Sequence, residues 1–230
     1  MSSAGTPTGA VVAYVHPADD PVLWEALPRA AAALHFLAVN VHDGPGQGRD
    51  PDYEAVLPPL LRAGAPVVGY VDTGYGAVPV RVSLEQAARW RSQYGVGAVF
   101  LDQVVSSATD HLRALCRGLR AAGVERIVLN PGTVTAPEVM DLADVVCAYE
   151  GPWSGYRHTP PRPGEHGDER VAHLVHGVAD ADVGGVLEAA RSHGPAALAV
   201  GASRGTSTWG RVPWPPLGSG AAARPACRPA

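Results

Sequence analysis

Short apolar runs recur along the chain at residues 11–15, 36–39, 67–71, 98–101, 126–129, 145–149, 172–175 and 197–201. Each is followed by a polar residue suited to chemistry: His16, Asn40, Asp72, Asp102, Asn130, Glu150, His176 and, after Ala202, Ser203. Stretches of helical character separate most of the runs. Alternating strand and helix predicts a parallel sheet. Eight such units predict a closed (β/α)8 TIM-type barrel in a single domain, a fold whose chemistry sits where the strands end. The polar residues closing the runs therefore outline a pocket before any motif is named.

Several helix starts are legible. Asp20-Pro21 places a capping residue before a proline at the first helical position. Ser83-Leu84-Glu85-Gln86 and Thr135-Ala136-Pro137-Glu138 both match a capping box. After Ser83 the spacing turns Ala87, Ala88 and Trp90 toward the barrel. Leu112, Leu115 and Leu119 share one helical face between residues 107 and 122, and Gly123 marks the stop. Pro28 and Pro58-Pro59 predict kinked or short helices. Residues 151–168 hold four Pro and four Gly without a helical period and read as a long irregular loop, placed to cover the pocket. The expected organisation is a flexible N-terminus over 1–10, the barrel over 11–212, and a flexible Pro/Gly/Ala-rich tail over 213–230.

Composition narrows the chemistry. With 230 residues, 46% of them hydrophobic, the chain supports a full core. All 18 basic side chains are Arg, so enzymes needing a lysine Schiff base or a pyridoxal-phosphate anchor are excluded. A net charge of −4 without a basic run argues against nucleic acid as the main partner. Cys116, Cys147 and Cys227 suggest neither a disulfide framework nor a zinc pattern, and Cys147 reads as a core residue. The nine His include no metal-binding spacing, so neither metal nor organic cofactor is expected. No secretion signal or membrane span is visible, which predicts a cytoplasmic protein.

Two carboxylates carry the argument. Asp102 closes Val99-Phe100-Leu101, and Glu150 closes Val145-Val146-Cys147-Ala148-Tyr149. Glu is poor in strands and costly to bury unpaired. Strands four and six lie about 10 Å apart in a sheet of ~4.8 Å spacing. Inward-pointing side chains narrow that gap toward the roughly 5–9.5 Å of paired carboxyls in glycoside hydrolases. Around them Asn40, Asn130, Tyr70, Asp72 and His176 form a ring of hydrogen-bonding groups. Tyr75, in Gly74-Tyr75-Gly76, and Trp153 and Trp209, in the loops after strands six and eight, are candidate sugar-stacking platforms. Trp24 and Trp90 read as packing residues. Gly201-Ala202-Ser203-Arg204-Gly205 has the look of a phosphate-gripping loop.

At these motifs the chain resembles the spherulation-specific family 4 (spherulin 4-like) proteins. The resemblance runs from Val11 to Pro216. It is carried by Tyr14-Val15-His16-Pro17 with Trp24, and by Val39-Asn40 with Gly44-Pro45-Gly46 and Tyr53. It continues through residues 69–76, residues 97–102, Leu129-Asn130-Pro131-Gly132-Thr133, Tyr149-Glu150 and His176. It implies a (β/α)8 barrel and, among relatives that are often secreted, endo-acting hydrolysis of α-1,4-linked galactosamine polymers. It also implies catalytic acids at an adjacent Asp-Glu pair ending strand four and at a Glu ending strand six. Asp102 and Glu150 match two of those places; Gln103 stands where the family has the second Glu.

The expected function is glycosidase chemistry on an amino-sugar polysaccharide. Asp102 and Glu150 are its catalytic pair, with Glu150 as the acid. Tyr14, His16, Asn40, Tyr70, Asp72, Tyr75, Gln103, Asn130, Trp153, His176 and Trp209 are its substrate-binding set. Two other readings fit the same residues. One is a carbohydrate-binding barrel impaired in turnover by Gln103; the other is a phosphosugar-binding barrel using Arg204.

Overall fold

In a computed structural model the chain is described over residues 7–159, 169–204 and 207–212, without the side chains of 203, 204, 207 and 210. Eight parallel strands close a barrel in chain order: β1 (Thr8–Ala13), β2 (Leu34–Val39), β3 (Val67–Asp72), β4 (Val99–Asp102), β5 (Ile127–Leu129), β6 (Val145–Pro152), β7 (Val171–His176) and β8 (Ala197–Val200). The closing seam pairs β1 with β8, Gly9 opposite Leu198. The (β/α)8 fold read from the sequence is the fold observed. β1 begins at Thr8, three residues before the apolar run suggested. Residues 1–6 and the tail from 213 lie outside the described residues.

The first four helices are long: α1 (Pro21–Ala30), α2 (Pro51–Arg62), α3 (Val80–Tyr94) and α4 (Thr109–Ala121). The next two, α5 (Pro137–Met140) and α6 (Trp153–Tyr156), are single turns, and α7 (Val183–His193) is again long. Asp20 caps α1 as expected, its carboxylate accepting the Leu23 N–H at 3.1 Å. Ser83 is not a cap. α3 starts at Val80 after Pro79, which leaves Ser83 buried inside the helix and Ala88 on its exposed face. Ala136, not Thr135, precedes α5, without a side-chain cap. Pro28, Pro58 and Pro59 sit within continuous helices. Of the expected irregular loop, residues 151–152 extend β6 and 153–156 form α6; 160–168 lie outside the described residues.

Strand alternation sorts the core into two layers. Outward residues such as Leu37, Val71, Leu101 and Leu129 meet the helices. Inward residues alternate small and large: Ala10, Ala38, Ala197 and Ala199 against Phe36, Tyr70, Phe100 and Leu174. Phe36 and Phe100 meet across the interior with ring centroids 6.0 Å apart. On the outer face Gly69 admits the Trp90 indole. A Cβ there would fall 2.4 Å from its ring, and Trp90 Nε1 donates to the Tyr70 carbonyl at 2.7 Å. After β8 the described chain forms a hairpin, β9 (Ala202–Arg204) and β10 (Ser207–Arg211), paired antiparallel. No helix of the described residues is long and apolar enough to cross a membrane.

Candidate active site

The inward rows continue past the barrel core to its C-terminal mouth. Ala10 and Val12 lead to Tyr14, Val68 and Tyr70 to Asp72, Phe100 to Asp102, Val128 to Asn130, and Ala172 and Leu174 to His176. β6 departs from this rule. Its inward residues are Val145 and Cys147, so unbroken alternation would next point Tyr149 inward and Glu150 outward. The register shifts instead: Cys147 pairs with Ala172 and Tyr149 with His173, which leaves Ala148 as an extra residue. This bulge reverses the parity of the residues beyond it. Tyr149 turns out against Tyr156, ring centroids 4.8 Å apart, and Glu150 turns into the mouth.

There a cavity of about 430 Å³ is lined by Val12, Tyr14, Phe100, Asp102, Asn130, Pro131, Gly132, Glu150, Leu174, His176, Thr208 and Trp209. A larger cavity, about 550 Å³, lies between α1 and α2, lined by Pro17, Trp24, Pro28 and Pro59 among others. Its charged residues, Glu25, Arg29 and Asp52, are all exposed, so volume alone does not mark the chemistry. In the barrel mouth both carboxylates are partly buried.

One nitrogen joins those carboxylates. Asn130 is 4% exposed, and its Nδ2 donates to Asp102 Oδ1 at 2.7 Å and to Glu150 Oε2 at 2.6 Å. The two bonded oxygens are therefore at most about 5.3 Å apart. Glu150 Oε1 accepts from Trp209 Nε1 at 3.1 Å, and its backbone N–H donates to the Gly132 carbonyl. Asp102 also receives the Gln103 backbone N–H and the Tyr70 hydroxyl. Burial, and then the charge of Glu150, raise the Asp102 pKa above the ordinary carboxylate value. Burial, and then the charge of Asp102, push the Tyr14 and Tyr70 phenols up, so both stay neutral donors. Burial lowers the His176 pKa, which favours a neutral ring at pH 7.

Of the residues singled out from sequence, Tyr14, Asp102, Asn130, Glu150, His176 and Trp209 line one cavity. Tyr70 supports it from below, its ring edge-on to Tyr14 at 5.4 Å. Gln103 stands beside rather than in it. Its side chain bonds the Tyr70 hydroxyl, and its backbone takes a left-handed φ of 55°. The Oγ1 of buried Thr73, which sequence reasoning passed over, lies 2.8 Å from the Asp102 and Gln103 carbonyls and holds that turn. Asn40 and Asp72 serve their own loops: Asn40 Oδ1 accepts the Gly44 N–H at 2.9 Å, and Asp72 Oδ1 accepts the Gly74 N–H at 2.6 Å. Tyr75 is 69% exposed at φ 54° and does not line the cavity.

Two positions differ from expectation. Trp153 opens α6 and packs outward, over Gly185 of α7, because the backbone beyond the bulge carries it behind the barrel wall. Trp209 belongs to β10 rather than to a loop, and is buried. His16 faces α2. Its Nδ1 accepts the Ala18 N–H, so Nε2 carries the proton and donates to Asp50 Oδ2 at 3.3 Å. His16, Asp50 and Asp52 hold their ligand atoms within 4.8 Å of one another. That tautomer makes Nε2 a donor, and Asp50 Oδ1 is spent capping α2. The group is thus explained by the helix start. Ala202–Arg204 forms a strand; the Arg204 side chain and Gly205 lie outside the described residues.

Comparisons with known proteins agree with this architecture. Over 152 residues, 63% of the chain, it is 27% identical to Spherulin-4 of Physarum polycephalum, of whose length it spans 45%. The crystal structure of Aspergillus clavatus Sph3 in complex with GalNAc superposes with a TM-score of 0.68 at 20% identity, over 85% of this chain and 89% of that one. The profile of spherulation-specific family 4 matches residues 10–205, and the chain belongs to that family.

Proposed function

We propose that this protein is a retaining glycoside hydrolase acting on a galactosamine-type polysaccharide. The observation that carries the proposal is the pair Asp102 and Glu150, bonded to one Asn130 nitrogen. Carboxyls about 5–5.5 Å apart suit a double displacement, whereas inverting enzymes need about 6.5–9.5 Å to admit a water. Among the described residues no Arg lines the cavity, burial favours a neutral His176, and two carboxylates share the space, so the site favours a ligand bearing an amine or its amide over an anionic sugar. The Sph3 structure, solved with GalNAc, supports the same class.

The roles follow from the surroundings. Both Glu150 oxygens accept N–H bonds, the part of a carboxylate nucleophile. Asp102 also accepts hydrogen bonds, yet burial and that charge hold its pKa above the ordinary carboxylate value, and it is the acid/base. This reverses the sequence-based expectation that Glu150 is the acid. Gln103, bonded to Tyr70 outside the cavity, leaves this pair complete without a third carboxylate.

The test is to incubate the protein with acetylated and de-N-acetylated galactosamine polymers, beside Asp102→Asn, and to measure new reducing ends. Release by wild type and not by the variant supports the proposal. Binding without release, with release gained in Gln103→Glu, establishes a binding barrel instead. The roles separate on an aryl glycoside with a good leaving group, which needs no acid: Asp102→Asn retains the first displacement and Glu150→Gln loses it.

A further inference from the structure

Seven strands send an inward side chain to the mouth or its rim; β8 sends none. Its inward row is Ala197, Ala199 and then Gly201. The space is filled by Trp209, which arrives on β10. A Cβ at position 201 would lie 2.3 Å from the indole Cε3 and 2.6 Å from Cζ3, so a glycine at this point is what lets the ring in. Gly201 is itself fixed: its N–H donates to the Val175 carbonyl at 2.9 Å, and its carbonyl accepts from Val178 at 3.1 Å. The hairpin is tied down at its far end as well. The Arg211 guanidinium forks onto Asp180 in the β7–α7 connection at 2.6 and 3.2 Å, and Val212 is buried in the outer core. The ring also meets His176 edge-on at 6.0 Å.

We infer that Trp209 is a positioning residue whose Nε1–H sets the carboxylate of Glu150, and that the hairpin β9–β10 is a built wall of the active site in place of an eighth-strand side chain. The inference rests on the two-carboxylate reading of the cavity. Glu150 is long and reaches the mouth through a bulged strand, so its backbone alone does not fix its head group. Asn130 holds Oε2 from one side and Trp209 holds Oε1 from the other. With both donors in place the plane of the carboxylate is set before substrate arrives, which is how preorganised dipoles lower a barrier. The indole thus works through its N–H and is not the sugar-stacking platform that its position in the sequence suggests.

Trp209→Phe tests this, because it keeps a buried ring and removes the donor. On the galactosamine polymer kcat is expected to fall about tenfold, the worth of one hydrogen bond to a charged group, with KM within about twofold. Gly201→Ala, which expels the indole, reproduces the kcat loss. A second readout needs no turnover. The indole N–H proton signal that is lost in Trp209→Phe is expected to resonate at a clearly different position in Glu150→Gln than in wild type at one fixed pH. If that shift is found but no polymer is cleaved, the coupling stands and the hydrolase reading fails. An indole N–H signal unmoved by Glu150→Gln, or a Trp209→Phe enzyme with unchanged kcat, overturns the inference.

Discussion

β4 and β6 each deliver one carboxylate to the same nitrogen, and they do it by different means. β4 is regular: Phe100 fills the barrel interior and Asp102, two residues on, continues the same face into the mouth. β6 is bulged at Ala148, and unbroken alternation over the same residues would give the mouth a tyrosine. The electrostatics differ too. Asp102 is pushed toward its neutral form by burial and by its neighbour's charge, whereas Glu150 is held at both oxygens by N–H donors. A pair of acids needs such inequality to divide the tasks of proton donor and nucleophile.

The largest effect comes from removing either charge. Asp102→Asn and Glu150→Gln should each lower polymer cleavage by roughly 10²–10⁴-fold in an initial-rate assay. Asn130→Ala leaves both side chains but removes the shared donor, and a loss of roughly 10- to 100-fold is expected, with a changed pH profile. Deleting Ala148 probes the bulge itself. Cys147 and Tyr149 already pair with consecutive residues of β7, so the deletion closes a straight strand and leaves Glu150 opposite Leu174, on the inward face. The shortened protein should melt cooperatively and keep kcat within about tenfold of wild type, because the parity of the residues beyond Ala148 is unchanged. A loss on the scale of Glu150→Gln in this variant would deny that parity alone aims the carboxylate.

The smallest effect sharpens the contrast most. Because the folded state raises the Asp102 pKa, ionising this carboxyl weakens the fold. The penalty is absent well below the ordinary value of 3.8, where the group is protonated folded and unfolded, and grows as pH rises through the folded pKa. Asp102→Asn should therefore raise Tm at pH 7, by about 2–4 °C for each kcal/mol relieved, with the gain vanishing in acid. Glu150→Gln removes only the neighbour's charge, the second cause of that shift, and leaves the Asp102 carboxyl buried, so its gain should be smaller. Thermal melts of both variants at pH 2.5 and pH 7 make the comparison.

The sequence carried the barrel because apolar runs of strand length are hard to bury otherwise, and their polar ends mark the mouth. Asp102 and Asn130 were legible because simple alternation aims them. Glu150 was found as an odd glutamate at the end of an apolar run, but Val145-Val146-Cys147-Ala148-Tyr149 gives no local sign that Ala148 leaves the ladder. Trp153 misled because the bulge and the turn α6 carry it behind the wall, a matter of tertiary packing. Trp209 was placed near the mouth, yet its bond to Glu150 joins residues 59 positions apart and depends on the space left at Gly201. Ser83 matched a cap pattern that packing overrode when Pro79 started α3 earlier.

The central claim is that Asp102 and Glu150, at most about 5.3 Å apart at the oxygens sharing Asn130, attack and protonate one glycosidic bond in two steps. The most direct measurement is the proton NMR spectrum of the first reducing ends released from a galactosamine polymer, recorded before they mutarotate. The account predicts anomers of the same configuration as the bond cleaved. Inverted anomers, or no cleavage of acetylated or de-N-acetylated polymer by the wild-type protein, would contradict it.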